Sequence, residues 1–133
     1  MIRKVVFDAY AILALIENDT GAQIVADMLA DKEIAIFLSA INFGEIYYII
    51  LRRNGEQAAE EVVQSILLEE SLSIVEMPWP RVKEAARIKS QGGLSYADAF
   101  ALSLAKEFHA PLVTGDPEIR NLAQHIGVEI IWL

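Results

Sequence analysis

Five short apolar runs punctuate the chain, and between them apolar positions return every three or four residues. "IRKVVF" at 2–7 reads as a buried strand ending at Asp8, and "AYAILALIE" after it takes a helical period. Thr20 and Gln23 have the spacing of a capping box, which predicts a second helix through about Lys32. "IAIFLS" is a second strand. "INFGEIYYIILRR" and "GEQAAEEVVQSILLEE" are two helices with Gly55 between them. "LSIVEM" is a third strand, stopped by "PWP", and Pro80 suits the first turn of a helix reaching about Gln91. The pair Gly92 and Gly93 breaks the chain. "SYADAFALSLAKEFH" follows as a helix whose Ala97, Ala101, Leu104, Ala105 and Phe108 share a face. "PLVT" is a fourth strand, "PEIRNLAQHI" a helix and "VEIIWL" a fifth strand. Strands that alternate with helices, and are continuously apolar, predict an α/β fold with a parallel sheet covered on both faces.

Composition narrows the class. The 133 residues suit one domain with a sizeable core, and 54% hydrophobic with 23% charged residues describes a globular chain. With no cysteine there is no disulfide framework and no thiolate metal site, which fits a reducing compartment. The opening "MIRKVVFDAYAILALI" imitates a secretory signal, but Asp8 interrupts its apolar run and no small-residue cleavage site follows. No uninterrupted apolar stretch is long enough to span a bilayer. A cytoplasmic protein is expected. The net charge of −8 fits poorly with a broad basic face for duplex nucleic acid, but leaves room for an enzyme that binds nucleic acid locally.

In open parallel sheets, sites form beyond the carboxyl ends of the strands. Asp8 follows the first strand, and Asp116 follows the fourth in "PLVTGDPEI". Glu45 lies within two turns of the start of the helix after the second strand. Asp98 is in the first turn of the helix whose next strand returns to the same edge. Each has a structural role open to it: Asp8 and Asp116 as helix N-caps, the latter before Pro117, Ser95 and Asp98 as a capping box, and Glu45 as a solvated helix residue. Their convergence is a different matter. Two carboxylates about 4 Å apart repel by roughly 4 kcal/mol at an effective dielectric near 20. No lysine or arginine adjoins any of the four in sequence, Arg120 being the nearest, one turn past Asp116. Such a cluster needs protons or a metal, and an all-oxygen site suits Mg²⁺ or Mn²⁺. No phosphate-binding loop, dinucleotide fingerprint or nucleophile elbow is present, and His109 and His125 stand alone near helix ends.

In order along the chain, "VVFDAYAIL", "LSAINFGEI", "LSYADAFALSLA" and "LVTGDPEI" resemble the PIN-domain family, specifically the VapC type of toxin–antitoxin ribonuclease. Ser39, Asn42 and Glu45 fall at that family's spacing, as do Asp98 in its L-[ST]-x-x-D-A segment and Thr114 with Asp116 in its [ST]-x-D segment. One feature departs: the residues after the first acid are often Ser or Thr, and here they are Ala9 and Tyr10. The resemblance implies a three-layer α/β/α PIN-like domain over residues 1–133 with a five-stranded, mainly parallel sheet. It implies a Mg²⁺- or Mn²⁺-dependent endoribonuclease acting on single-stranded or structured RNA, forming a homodimer and inhibited by a small cognate antitoxin. Asp8 and Asp98 would be metal ligands, Asp116 and Glu45 would complete the cluster directly or through water, and Asn42, Thr114 and Ser95 would support them. Arg52, Arg53, Lys83, Arg87 and Lys89 are candidates for RNA backbone contact, or simply solvated helix faces.

Two other functions use the same pattern: an interaction module of this fold without catalysis, and a metal-dependent nuclease acting on DNA. Metal-dependent RNA cleavage separates the first from the main reading; the second would want an arch or duplex-binding element that so short a chain does not display. The "IYYIILRR" helix is apolar around its circumference, so it needs cover from a partner chain or from the helix at 56–70.

Overall fold

In the computed structural model, which describes residues 2–133, the five apolar runs are strands: β1 (Arg3–Phe7), β2 (Ile34–Ser39), β3 (Leu72–Val75), β4 (Leu112–Thr114) and β5 (Ile130–Trp132). The helices are α1 (Ala9–Ile16), α2 (Ala22–Ala30), α3 (Ala40–Asn54), α4 (Glu56–Leu67), α5 (Trp79–Lys89), α6 (Tyr96–Phe108) and α7 (Arg120–Ile126), and a 3-10 turn (Pro117–Ile119) precedes the last. The strand order is β3-β2-β1-β4-β5, and each neighbouring pair is parallel, so the sheet is more uniform than the mainly parallel one expected.

Strand side chains alternate between faces, and the two cores follow that alternation. Val5 and Phe7, with Ile36 and Leu38 of β2, pack under α1 to α4 against Ile12, Val25, Ile46 and Ile50. Val6 and Leu112 face the other way, toward α5 to α7, against Ile88, Leu102, Ala105 and Leu122. Strands buried on both faces must be apolar at every position, which is why no alternation shows in the sequence. Each fully buried Val, Leu, Ile or Phe contributes roughly 1.5–3 kcal/mol.

Helix α6 is more enclosed than a one-faced helix: Asp98 through Leu102, Leu104 and Ala105 are all buried. Its alanines let it approach α5, α3 and the sheet at once. Helix α3 lies along α4, with Ile46 and Ile50 buried and the Tyr47 hydroxyl donating to Glu60 Oε1 at 2.8 Å. That intramolecular cover takes one side of the "IYYIILRR" segment; Tyr48 and Leu51 stay exposed.

The start of α2 corrects the expected capping box. The N-cap is Gly21, at φ 90° with no side-chain cap, and Thr20 lies outside the helix with its N–H donating to Asp19 Oδ1 at 2.9 Å. Gly21 takes the left-handed backbone, and a side chain there would run into Leu133 from the far end of the chain. The entry to α2 is therefore set by a long-range contact. No helix among the described residues is long and apolar enough to cross a membrane.

Candidate active site

Strand β1 is central, pairing with β2 on one side and β4 on the other, so the direction of winding reverses between β1 and β4. Crevices for ligands open at such a switch point, past the carboxyl ends of the strands. Asp8 follows β1 and Asp116 lies two residues past β4. Helix α3 leaves the same edge directly after β2, and Asn42 Nδ2 donates to the Ala97 carbonyl at 3.1 Å, tying the start of α3 to the start of α6. Four elements thus bring Asp8, Glu45, Asp98 and Asp116 to one place.

Each acid is held by local hydrogen bonds, and the structural and functional readings coexist. Asp8 caps α1, its Oδ1 accepting from Ala11 N at 3.1 Å. It is only 1% exposed, and its Oδ2 is buried with no hydrogen-bond partner among the described residues. Ser39 caps α3: its Oγ accepts from Asn42 N at 3.0 Å and donates to Asn42 Oδ1 at 2.6 Å. That fixes the Asn42 amide so that Nδ2 also approaches Glu45 Oε1, at 3.4 Å. Ser95 caps α6, accepting from Asp98 N at 3.1 Å. The buried Thr114 hydroxyl accepts from Asp116 N at 3.0 Å, and Asp116 Oδ1 in turn accepts from Glu118 N at 2.9 Å, capping the 3-10 turn.

The cluster is electrostatically unfavourable as it stands. Burial pushes the Asp8 carboxyl up from 3.8 to about 7; the Thr114 hydroxyl and the Ala11 N–H oppose the shift, and the Glu45 and Asp116 charges add to it. Burial likewise raises Asp98, to about 8, with Asp116 and then Asp8 adding to the shift and Ser95 opposing it. Glu45 is raised by burial, against the Asn42 amide and with help from Asp116. Among the described residues no lysine or arginine pairs with any of them: the ion pairs are Arg3–Asp31, Arg53–Glu17, Arg81–Glu107 and Arg87–Glu84. Arg120 is engaged elsewhere, its guanidinium 4.6 Å from the centre of the Trp132 ring.

The structure adds a fifth acid. Carboxylate oxygens of Asp98, Asp116 and Glu118 lie within 4.8 Å of one another, a group that the expected Asp8 and Glu45 do not join. Glu118 belongs to no motif; its position follows from the turn that Asp116 caps, and only the Asp-Pro start of that turn hints at it. Tyr10 also belongs here. Its ring lies so close over Gly115 that a Cβ at that glycine would overlap it. The candidate RNA-contact cations divide. Helix α3 starts at the acidic edge, so Arg52 and Arg53 in its last turn lie about 10–12 Å along the axis from Glu45. Helix α5 runs antiparallel to α6, Arg81 near its start pairing with Glu107 near the end of α6, so Arg87 and Lys89 in its last turn lie toward the acidic edge.

The PIN domain family profile matches residues 5–124, and the chain belongs to that family. No curated protein matches it in a sequence comparison. Among solved structures it is similar to VapC20 of Mycobacterium tuberculosis, described as a sarcin–ricin loop cleaving toxin: 16% identity over 91% of this chain and 94% of that one, TM-score 0.71. It is also similar to VapBC2 of Rickettsia felis bound to a promoter DNA fragment, at 16% identity, 96% and 97% coverage and TM-score 0.72. A protein from Pyrobaculum aerophilum shares 24% identity over 97% of this chain and 83% of its own, with TM-score 0.64. At these identities the structural likeness speaks to the fold.

Proposed function

We propose that the chain is a Mg²⁺- or Mn²⁺-dependent endoribonuclease, the toxin of a toxin–antitoxin pair, working as one PIN-like domain in the cytoplasm. The observation that carries the reading is Asp8 Oδ2: a buried carboxylate oxygen without a hydrogen-bond partner among the described residues, close enough to Glu45, Asp98 and Asp116 to feel their charges and with no paired cation. An orphaned buried charge of this kind is costly unless something cationic meets it. An all-oxygen donor set fits a hard divalent ion. Asp8 and Asp98 would hold that ion, with Asp116 and Glu45 completing its surroundings directly or through water. A bound divalent ion supplies charge neutralisation at a phosphate and lowers the pKa of a water.

The remaining work falls to the chain. Asn42 aims Glu45, Thr114 fixes the Asp116 backbone and faces Asp8, and Ser95 sets the helix turn that carries Asp98. Membership of the PIN family supports a nuclease, and similarity to VapBC assemblies supports a small cognate antitoxin as partner. The exposed Tyr48 and Leu51 on α3 are consistent with a homodimer.

The test is cleavage of a panel of structured and unstructured RNAs with Mg²⁺ or Mn²⁺ and with EDTA, beside Asp8→Ala. Cleavage by wild type only, and only with metal, is expected. Equal cleavage by both proteins would mark the activity as contamination and leave the non-catalytic interaction module standing; cleavage of DNA in preference to RNA would move the reading to a DNA nuclease. A neighbouring small open reading frame encoding a DNA-binding protein is expected for the toxin role.

A further inference from the structure

Two of the acids, Asp8 and Asp116, come from the strands on either side of the switch point, and the sheet stops short of both. The last paired residues of β1 and β4 are Phe7 and Val113, and the two aspartates lie beyond that pair. On its outer side the turn after β4 is still held to β5, the Thr114 carbonyl accepting from Leu133 N at 3.1 Å. Within the turn, the Thr114 hydroxyl accepts from Asp116 N, and Asp116 Oδ1 accepts from Glu118 N. Those bonds shape the turn without setting its distance from the Asp8 side. Two side chains cross the seam past the end of the ladder. One is Thr114, whose hydroxyl faces Asp8. The other is Tyr10.

Tyr10 stands in the first turn of α1, the helix that Asp8 caps, so its backbone is fixed to the Asp8 side of the seam. Its ring reaches the Asp116 side: Cε1, Cζ and Oη fill the space that a Cβ on Gly115 would need. Gly115 is not among the glycines of positive φ, so its backbone would accept a side chain, and the ring is what excludes one. Nor is Tyr10 a core residue, being 41% exposed where Phe7 and Val113 beside it are fully buried. Its hydroxyl has no hydrogen-bond partner among the described residues. A flat, stiff side chain is thus wedged between two turns that each carry a carboxylate. Donors of a binding site must sit within roughly 0.5 Å of their working geometry, and the groups that hold them there matter nearly as much as the donors.

We propose that Tyr10 is a positioning residue of the acidic site: its ring, seated on Gly115, holds the Thr114–Asp116 turn at the distance from Asp8 at which carboxylates of both strands share one divalent ion. It touches neither the ion nor the substrate in this role. The inference rests on reading the cluster as a divalent-ion site, and names the contact that sets the spacing of that site. The ring is required and the hydroxyl is not. Ring and bare backbone also depend on each other: a methyl at 115 pushes the ring away, and removal of the ring makes room for the methyl.

The experiment is a calorimetric titration of the full chain with Mn²⁺, with no RNA present, beside melting temperatures in EDTA. Tyr10→Ala and Gly115→Ala are each expected to lose about tenfold in Mn²⁺ affinity, and Tyr10→Phe is expected to restore it to the wild-type value. The double variant, Tyr10→Ala with Gly115→Ala, is expected to bind no more weakly than Tyr10→Ala alone, a non-additivity that two independent defects would not show. Unchanged Mn²⁺ affinity in Tyr10→Ala, with only a lower melting temperature in EDTA, would make the ring ordinary packing and overturn the proposal. So would a loss in Tyr10→Phe equal to that in Tyr10→Ala, or additive losses in the double variant. Mn²⁺ binding by wild type without RNA cleavage would sink the nuclease reading and leave the positioning role intact, whereas a wild type that binds no Mn²⁺ would overturn both. Should Tyr10→Ala unfold, Tyr10→Leu and Gly115→Ala decide by the same readouts.

Discussion

Replacing Asp8 by asparagine should stabilise the metal-free protein, and by an amount that grows with pH. Asparagine has nearly the same shape and caps a helix about as well, so the bond from Ala11 N survives. What it removes is the charge on an almost wholly buried carboxyl whose pKa stands at about 7 against 3.8 ordinarily. An acid whose folded pKa is raised favours the folded state most below its unfolded pKa. That contribution drains away as pH rises toward the folded value and levels off above it. A displacement of about three pH units is worth roughly 4 kcal/mol at 1.36 kcal/mol per unit. Wild type should lose about that much relative to Asp8→Asn between about pH 4 and about pH 8. Titrations of groups not coupled to Asp8 are common to both proteins and cancel in the difference. Its coupling to Asp98 acts in the same direction, since removing the Asp8 charge also eases ionisation of Asp98.

The assay is urea unfolding of both proteins in EDTA across that pH range, repeated with Mn²⁺. In EDTA the variant should pull ahead as pH rises. With Mn²⁺ that lead should shrink, because wild type gains about 2.7 kcal/mol at a hundred times its dissociation constant and the variant less. A stability difference that does not change with pH, or a variant less stable than wild type in EDTA at high pH, would refute the argument that an uncompensated buried carboxylate dominates this site.

Other outcomes follow from the same geometry. Asp116→Asn should keep the cap on Glu118 N and hence the fold, but lose RNA cleavage and shrink the Mn²⁺-induced rise in melting temperature; an unchanged rise would leave Asp116 as a cap alone. At limiting Mn²⁺, cleavage should fall as pH drops through about 8 to about 7, because Asp98 and Asp8 take up protons in competition with the metal, and more Mn²⁺ should restore it; a flat profile would count against metal binding by these two acids. Gly115→Ala should destabilise by roughly 1–3 kcal/mol and reduce cleavage, since its methyl would displace the Tyr10 ring; thermal melting checks the first effect, and a neutral result would mean the ring has room to move.

The sequence displays the acids more clearly than their company, and the reason is physical. Asp8, Asp98 and Asp116 each follow an apolar run or a helix start, so strand ends and caps, which are local features, locate them. Their convergence follows from one topological rule about parallel sheets, which the pairing of β1 with both β2 and β4 fulfils. What the sequence conceals depends on contacts between distant segments. Thr20 and Gln23 match a capping box, yet Gly21 starts α2 because Leu133 leaves no room for a side chain there. Glu118 looks like an ordinary exposed helix residue until the 3-10 turn carries it to Asp98 and Asp116. Tyr10 reads as a missing hydroxyl beside Asp8, whereas across the β1–β4 seam it is a ring laid on Gly115. These two positions explain each other: the ring fits because residue 115 lacks a side chain, and Gly115 stays bare without any positive φ to require it. A glycine kept by an aromatic neighbour, between the threonine and the aspartate of the acidic edge, is the arrangement expected where the shape of the surface beside those acids matters as much as their charge.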